Sequence, residues 1–166
     1  MRKIIKATGY IFGNNIDTDQ IYPGRYLELV ESAEIALHVM EGADPDFAGR
    51  FQPGGIIVAG TNFGCGSSRE HAAIALQTAG ISLVLAESFG RIFYRNCINL
   101  GLPVMVCPGI RAGITEGDLL EANLETGAIE NITAGTLFNG EKLSLHALRI
   151  LESGGIKPLM KTKFER

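Results

Sequence analysis

A strand, a glycine-rich turn and a helix follow one another between residues 56 and 77, and no other stretch constrains the fold as strongly. Ile56, Ile57, Val58 and Ala59 are apolar and mostly β-branched, the pattern of a strand buried on both faces. Residues 72–77 (Ala-Ala-Ile-Ala-Leu-Gln) are rich in helix formers, with apolar residues at helical spacing. Gly60, Gly64 and Gly66 lie between them. They allow backbone angles closed to other residues and let a ligand come close to the chain. Ser67, Ser68 and Arg69 are expected to open the helix, where unpaired N–H groups and the positive end of the dipole favour an anion. Two hydroxyls and a guanidinium add donors suited to a carboxylate. The same residues also fit a capping box, with Ser67 as N-cap and Glu70 three residues on. Capping explains Ser67 and Glu70; it leaves the second serine, the arginine and the glycines unexplained.

Three common loop motifs are ruled out here. A dinucleotide fingerprint needs a glycine where Arg69 stands, and the phosphate loop's Gly-Lys-Ser/Thr triplet occurs nowhere in the chain. A nucleophile elbow needs glycine two residues to either side of its serine. Ser67 has Cys65 and Arg69 at those positions, and Ser68 has Gly66 and Glu70.

The flanking pattern gives the fold class. Residues 3–12 read as a strand, 56–59 as the first core strand, 81–86 as a second and 104–106 as a third. Helices are expected after Ser67, from Phe89 to about Leu100, and from Ser32 to about Met40 with Ser32 as N-cap. Alternating strands and helices at this spacing indicate an α/β fold with a parallel β-α-β core and right-handed crossovers. Between Asp118 and Phe138 the pattern changes to short segments broken by glycine, read as hairpins or a barrel-like region closing on the N-terminal strand. Residues 143–151 form an amphipathic helix ended by Gly154 and Gly155. Lys157, Lys161, Lys163 and Arg166 make a basic, solvated tail, and His146 is surface or packing. His71 is assigned a packing role, although a pairing with Ser67 at i, i+4 is sterically feasible.

At 166 residues the chain is expected to be one domain, 1–166, with one core. A net charge of −3 supplies no pull toward nucleic acid or anionic membrane. No apolar run is long enough to span a bilayer, and residues 1–6 lack a signal-peptide core, so a cytoplasmic location is the default expectation. Cys65, Cys97 and Cys107 are too scattered for a disulfide framework or a Cys-x-x-Cys metal site. Cys97 and Cys107 read as small core residues. Cys65 reads as a small residue demanded by its loop, with a reactive thiol as the other reading. Asp17 and Asp19 read most simply as a turn or cap pair, because no histidine or cysteine nearby completes a metal site.

Residues 62–72 (Asn-Phe-Gly-Cys-Gly-Ser-Ser-Arg-Glu-His-Ala) resemble the signature of the swivelling β/β/α domain of the aconitase superfamily. Residues 15–27 and 87–96 agree with it in order and spacing, and over nearly its whole length the chain resembles the small subunits of the isopropylmalate isomerase family. The resemblance implies a hydro-lyase subunit acting on a small hydroxy di-acid, by loss and re-addition of water. It implies a cluster-bearing large subunit as partner, in a heterodimer or heterotetramer. That partner's [4Fe–4S] cluster would bind the leaving hydroxyl as a Lewis acid, and this chain itself has no cofactor and no metal ligand set. By residue match, Ser67 is the base that removes the carbon-bound proton and Asp19 is an active-site acid. Ser68 and Arg69 hold a substrate carboxylate. The segment Arg25, Tyr26, Leu27, Glu28, Leu29 and Val30 selects the substrate side chain. Leu29 and Val30 suit an alkyl group and Glu28 repels a third carboxylate. These three residues read equally well as helix packing or subunit interface.

Overall fold

The computed structural model describes residues 2–165. Its framework is one seven-stranded sheet in the order β4-β3-β2-β1-β5-β6-β7, built from β1 (Ile4–Ile11), β2 (Ile56–Ala59), β3 (Leu83–Ala86), β4 (Val104–Val106), β5 (Leu119–Asn123), β6 (Ala128–Asn131) and β7 (Thr136–Asn139). β1 joins two halves of different character. On one side it pairs in parallel with β2, which continues in parallel to β3 and β4. On the other side it pairs antiparallel with β5, and β6 and β7 follow as hairpins. The parallel core and the hairpin region closing on β1, both legible in the sequence, are thus parts of one mixed sheet.

Burial explains the different patterns of the two halves. Every residue of β2 and β3 is buried, so these strands read as continuous apolar runs. Each large side chain enclosed this way, such as Ile57 or Leu85, contributes about 1.5–3 kcal/mol. β6 alternates, with Ile129 and Asn131 buried between exposed Ala128 and Glu130. The buried Asn131 amide donates to Asp118 Oδ2 at 2.8 Å and to the Gly113 carbonyl at 3.2 Å, which offsets its removal from water.

The helices are α1 (Thr18–Ile21), α2 (Ser32–Ala36), α3 (Phe47–Arg50), α4 (His71–Ala79), α5 (Arg91–Leu100), α6 (Leu145–Glu152) and α7 (Ile156–Phe164). α4 connects β2 to β3 and α5 connects β3 to β4, each ending at a left-handed glycine, Gly80 and Gly101. Ser144 caps α6 by accepting from Ala147 N.

Four sequence expectations need correction. The central helix begins at His71, not at Ser67, and no side chain caps it, so the Ser67–Glu70 capping box does not form. Residues 16–18 hold the preceding loop, and the Ser67 hydroxyl accepts from Arg69 N, two residues on, at 3.2 Å, which keeps residues 67–69 out of the helix. The Ser32 helix stops at Ala36 and gives way to turns; its N-cap is Glu31. His71 is exposed rather than packed. The basic tail is helical as α7, anchored by buried Leu159, although Lys157, Lys161 and Lys163 are solvated as expected. Arg166 lies outside the described residues.

Candidate active site

The turn between β2 and α4 is shaped by the strand-to-helix connection that follows β3. Phe63 N donates to the Ser88 carbonyl at 3.0 Å, and Gly90 N donates back to Phe63 O at 2.9 Å. Phe63 and Phe93 pack edge to face, 5.5 Å between centroids. Gly64 has φ +82, and a Cβ there would lie 2.1 Å from the Phe93 ring, so only glycine fits. Asn96 Nδ2 donates to the Ser68 carbonyl at 3.2 Å. The stretch 87–96 is therefore a brace behind the turn, with no residue in the cavity described next.

A second set of contacts brings residues 16–19 to the turn. Gly64 N donates to the Ile16 carbonyl at 2.7 Å, and Thr18 N donates to the Cys65 carbonyl at 2.9 Å. Ser67 N donates to the Thr18 hydroxyl at 3.2 Å, across 49 residues of sequence. Asp17 caps α1 in a reciprocal capping box with Gln20, which bears out the cap reading of Asp17. Asp19, in the first turn of α1, accepts from Gly24 N at 2.9 Å.

Together these elements enclose a cavity of about 280 Å³. Asp19, Ser67, Arg69, Leu27 and His71 line it, with Asp17, Thr18, Tyr22, Gly24, Gly66 and Ala72 completing the wall. Among the described residues no carboxylate pairs with the Arg69 guanidinium, which leaves its charge available to a bound anion. His71 and Ala72 are the first turn of α4, so the positive helix end faces the cavity four residues later than the sequence suggested. Burial, followed by the neighbouring Tyr26, raises the Tyr22 pKa, and its neutral hydroxyl donates to the Tyr26 carbonyl at 2.7 Å.

The expected site residues divide. Ser67, Asp19, Arg69 and Leu27 share the cavity. Ser68 is exposed and does not line it; nor do Arg25, Tyr26, Glu28, Leu29 or Val30. Arg25 and Tyr26 instead turn to Glu41. Arg25 Nη2 and Tyr26 OH donate to Glu41 Oε1 at 2.9 and 2.7 Å, and His38 Nδ1 meets Glu41 Oε2 at 2.5 Å. Sequence reasoning missed His38, Glu41, Thr18 and the exposure of His71. Thr18 alone carried a signal, its place between the two aspartates.

Among the described residues no group of three or more His, Cys, Asp or Glu side chains is placed to hold a metal ion. The cysteines do not fit an iron–sulfur cluster. Cys97 and Cys107 are buried in the core, and burial pushes the Cys97 thiol well up and that of Cys107 to about 11. Cys65 stands apart from them, half-buried in the turn.

A glycine-shaped turn held against a two-aspartate segment, on a mixed half-barrel sheet, defines an aconitase-type swivelling domain. Residues 14–107 match the aconitase C-terminal domain, and the chain belongs to that family. It is 57% identical over 163 residues to the isopropylmalate/citramalate isomerase small subunit of Methanocaldococcus jannaschii, covering 98% of this chain and 97% of the relative. It is 49% identical over 156 residues to the methanogen homoaconitase small subunit of Methanothermobacter thermautotrophicus, covering 94% and 90%. The crystal structure of 3-isopropylmalate dehydratase from Methanocaldococcus jannaschii superposes with a TM-score of 0.92 at 40% identity, covering 97% of this chain and 95% of that one. No helix among the described residues is long and apolar enough to cross a membrane.

Proposed function

We propose that this chain is a single-domain small subunit of 3-isopropylmalate dehydratase, a two-subunit hydro-lyase that interconverts 2- and 3-isopropylmalate in leucine biosynthesis. The observation that carries the reading is the meeting of Ser67, Arg69 and Asp19 in one cavity, on a chain 57% identical to an isomerase small subunit. Ser67 Oγ takes the carbon-bound proton of the di-acid. An alkoxide there needs a positive field, which the Arg69 guanidinium and the first turn of α4 supply. Arg69 grips one substrate carboxylate with two parallel hydrogen bonds. Asp19 holds the Gly24 N–H, and with it the start of the substrate-recognition segment, beside the same cavity. Ser68 contributes to carboxylate binding only when substrate and partner draw its hydroxyl inward, since here it is exposed and does not line the cavity. The large subunit would bring the [4Fe–4S] cluster, since among the described residues no group of three or more His, Cys, Asp or Glu side chains is placed to hold a metal.

A homoaconitase or 2,3-dimethylmalate dehydratase small subunit is the second reading, favoured by relatives that carry those names at 49% and 46% identity. A passive anion-binding docking module is the third. The experiment is to recombine the chain with a cluster-bearing large subunit and measure turnover on a panel of hydroxy di- and tri-acids. Turnover of isopropylmalate above the other substrates is the expected result. Preference for a tri-acid moves the assignment to homoaconitase, and no turnover with any substrate leaves the docking module.

A further inference from the structure

We infer that Glu41 is the positioning residue that holds the substrate-recognition segment in register with the cavity. The inference rests on the functional reading above and assigns a residue outside the three motifs. Its carboxylate is the hub for three side chains. Oε1 accepts from both Tyr26 OH and Arg25 Nη2, and Oε2 meets His38 Nδ1. The Tyr26 ring lies flat on the His38 ring, 3.7 Å between centroids, and the Arg25 guanidinium carbon sits over the same Tyr26 ring, 4.7 Å from its centroid. The Tyr26 hydroxyl first, and His38 next, hold the Glu41 carboxyl below its ordinary value, so the hub keeps its negative charge.

The hub is itself anchored to the helix that carries Asp19. Met40 N donates to the Ile21 carbonyl at 2.6 Å, and Gly42 N donates to the Gln20 carbonyl at 3.0 Å. A Cβ on Gly42 would lie 2.6 Å from Gln20 Cα, so this close approach requires glycine. Buried Met40 sits at φ +60, a conformation a side-chain-bearing residue keeps only where its surroundings enforce it. Glu41 is therefore presented from a fixed base. The recognition segment is tied at each step: Gly24 N to Asp19, the Arg25 and Tyr26 side chains to Glu41, and the Tyr26 carbonyl to Tyr22. The next residue is Leu27, the one member of residues 25–30 that lines the cavity. Release of Glu41 frees the two residues that set where Leu27 stands, without touching Ser67 or Arg69.

The test uses the full chain recombined with a cluster-bearing large subunit, as wild type, Glu41→Gln and Glu41→Ala. kcat and KM are measured for malates carrying a methyl or an isopropyl group. In Glu41→Ala, KM for the isopropyl substrate should rise about tenfold and the preference between the two substrates narrow, with kcat within about threefold of wild type. Glu41→Gln keeps an acceptor for the Tyr26 hydroxyl and should fall between. In parallel, trypsin acts on the free full chain, where the bond after Arg25 should be cut faster in Glu41→Ala than in wild type. Unchanged KM values and preference in Glu41→Ala overturn the inference, even with faster cleavage, because the hub then only stabilises the loop. A fall in kcat with KM unchanged overturns it as well. A wild-type complex inert toward every malate sinks the functional reading and this inference together.

Discussion

Replacing Ser67 by alanine separates a catalytic hydroxyl from a structural one, because the structure bounds what the hydroxyl does for folding. Ser67 Oγ accepts a single exposed bond from Arg69 N, at the long distance of 3.2 Å. The bond from Ser67 N to the Thr18 hydroxyl comes from the backbone and survives in alanine. The loss is thus one weak hydrogen bond, about 0.5–1 kcal/mol. For a chain of this size that lowers Tm by about 1–4 °C. A missing general base costs about 10²–10⁴ in rate. At 1.36 kcal/mol per decade this is about 2.7–5.4 kcal/mol of barrier, several times the folding term.

The assay is kcat/KM of the recombined enzyme beside calorimetric Tm of the isolated chain, for wild type, Ser67→Ala and Ser68→Ala. Ser68→Ala is the control, since the carbonyl that Asn96 holds remains and the hydroxyl lines no cavity. Ser67→Ala should lose at least a hundredfold in kcat with assembly intact, and Ser68→Ala much less. A Ser67→Ala enzyme that keeps near-normal kcat while losing a few degrees of Tm refutes the reasoning and leaves Ser67 as a turn residue.

Gly64→Ala should destabilise the chain by at least about 3 kcal/mol in urea titration, since it combines a positive φ with a Cβ inside the Phe93 ring; a shift below about 1 kcal/mol means that the α5 brace yields. Cys107, pushed to about 11 by burial and then by Glu87, holds about one thiolate in a thousand at pH 8, and Cys97 stays protonated by burial, so iodoacetamide should label Cys65 first and the other two only on unfolding. Labelling of all three at equal rates in the native chain would contradict the core assignment. Glu28→Arg should raise kcat/KM for a tri-acid relative to an alkyl-malate by replacing repulsion with a two-bond carboxylate grip; an unmoved ratio assigns substrate choice to the large subunit.

Much of the fold was legible because its signals are local. Ile56–Ala59 and Leu83–Ala86 are continuous apolar strands, and the glycines after α4 and α5 mark helix ends. The short segments broken by glycine between Asp118 and Phe138 gave the hairpin half. What failed depended on contacts far apart in sequence. Ser67 looked like an N-cap by spacing, yet residues 16–18 capture its loop and delay the helix to His71. The run after Ser32 has helical spacing, but Met40 must turn back to meet Ile21, so the helix ends at Ala36. The site shows the same division. Ser67, Arg69 and Asp19 were singled out by the resemblance and share one cavity, whereas nothing in the sequence marked Glu41, which the fold sets beside Arg25 and Tyr26.

The open end of the cavity bears on why substrate choice is the hardest property to read from this chain. Leu27 is fixed at the wall, but Glu28 is exposed and Val30 is 82% exposed. An alkyl group gains about 0.8 kcal/mol per buried CH₂ only where water is excluded from both of its sides. Val30 as it stands here offers one side and no second wall. On the proposed function, selection among methyl, isopropyl and carboxylate-bearing malates would need a surface from outside this chain to close over residues 28–30. Such a requirement would be consistent with relatives of different printed names sharing about half of their residues with this chain. In the function proposed above, the cavity floor, where Ser67, Arg69 and Asp19 meet, would handle the part common to such substrates, a carboxylate and an adjacent carbon-bound proton.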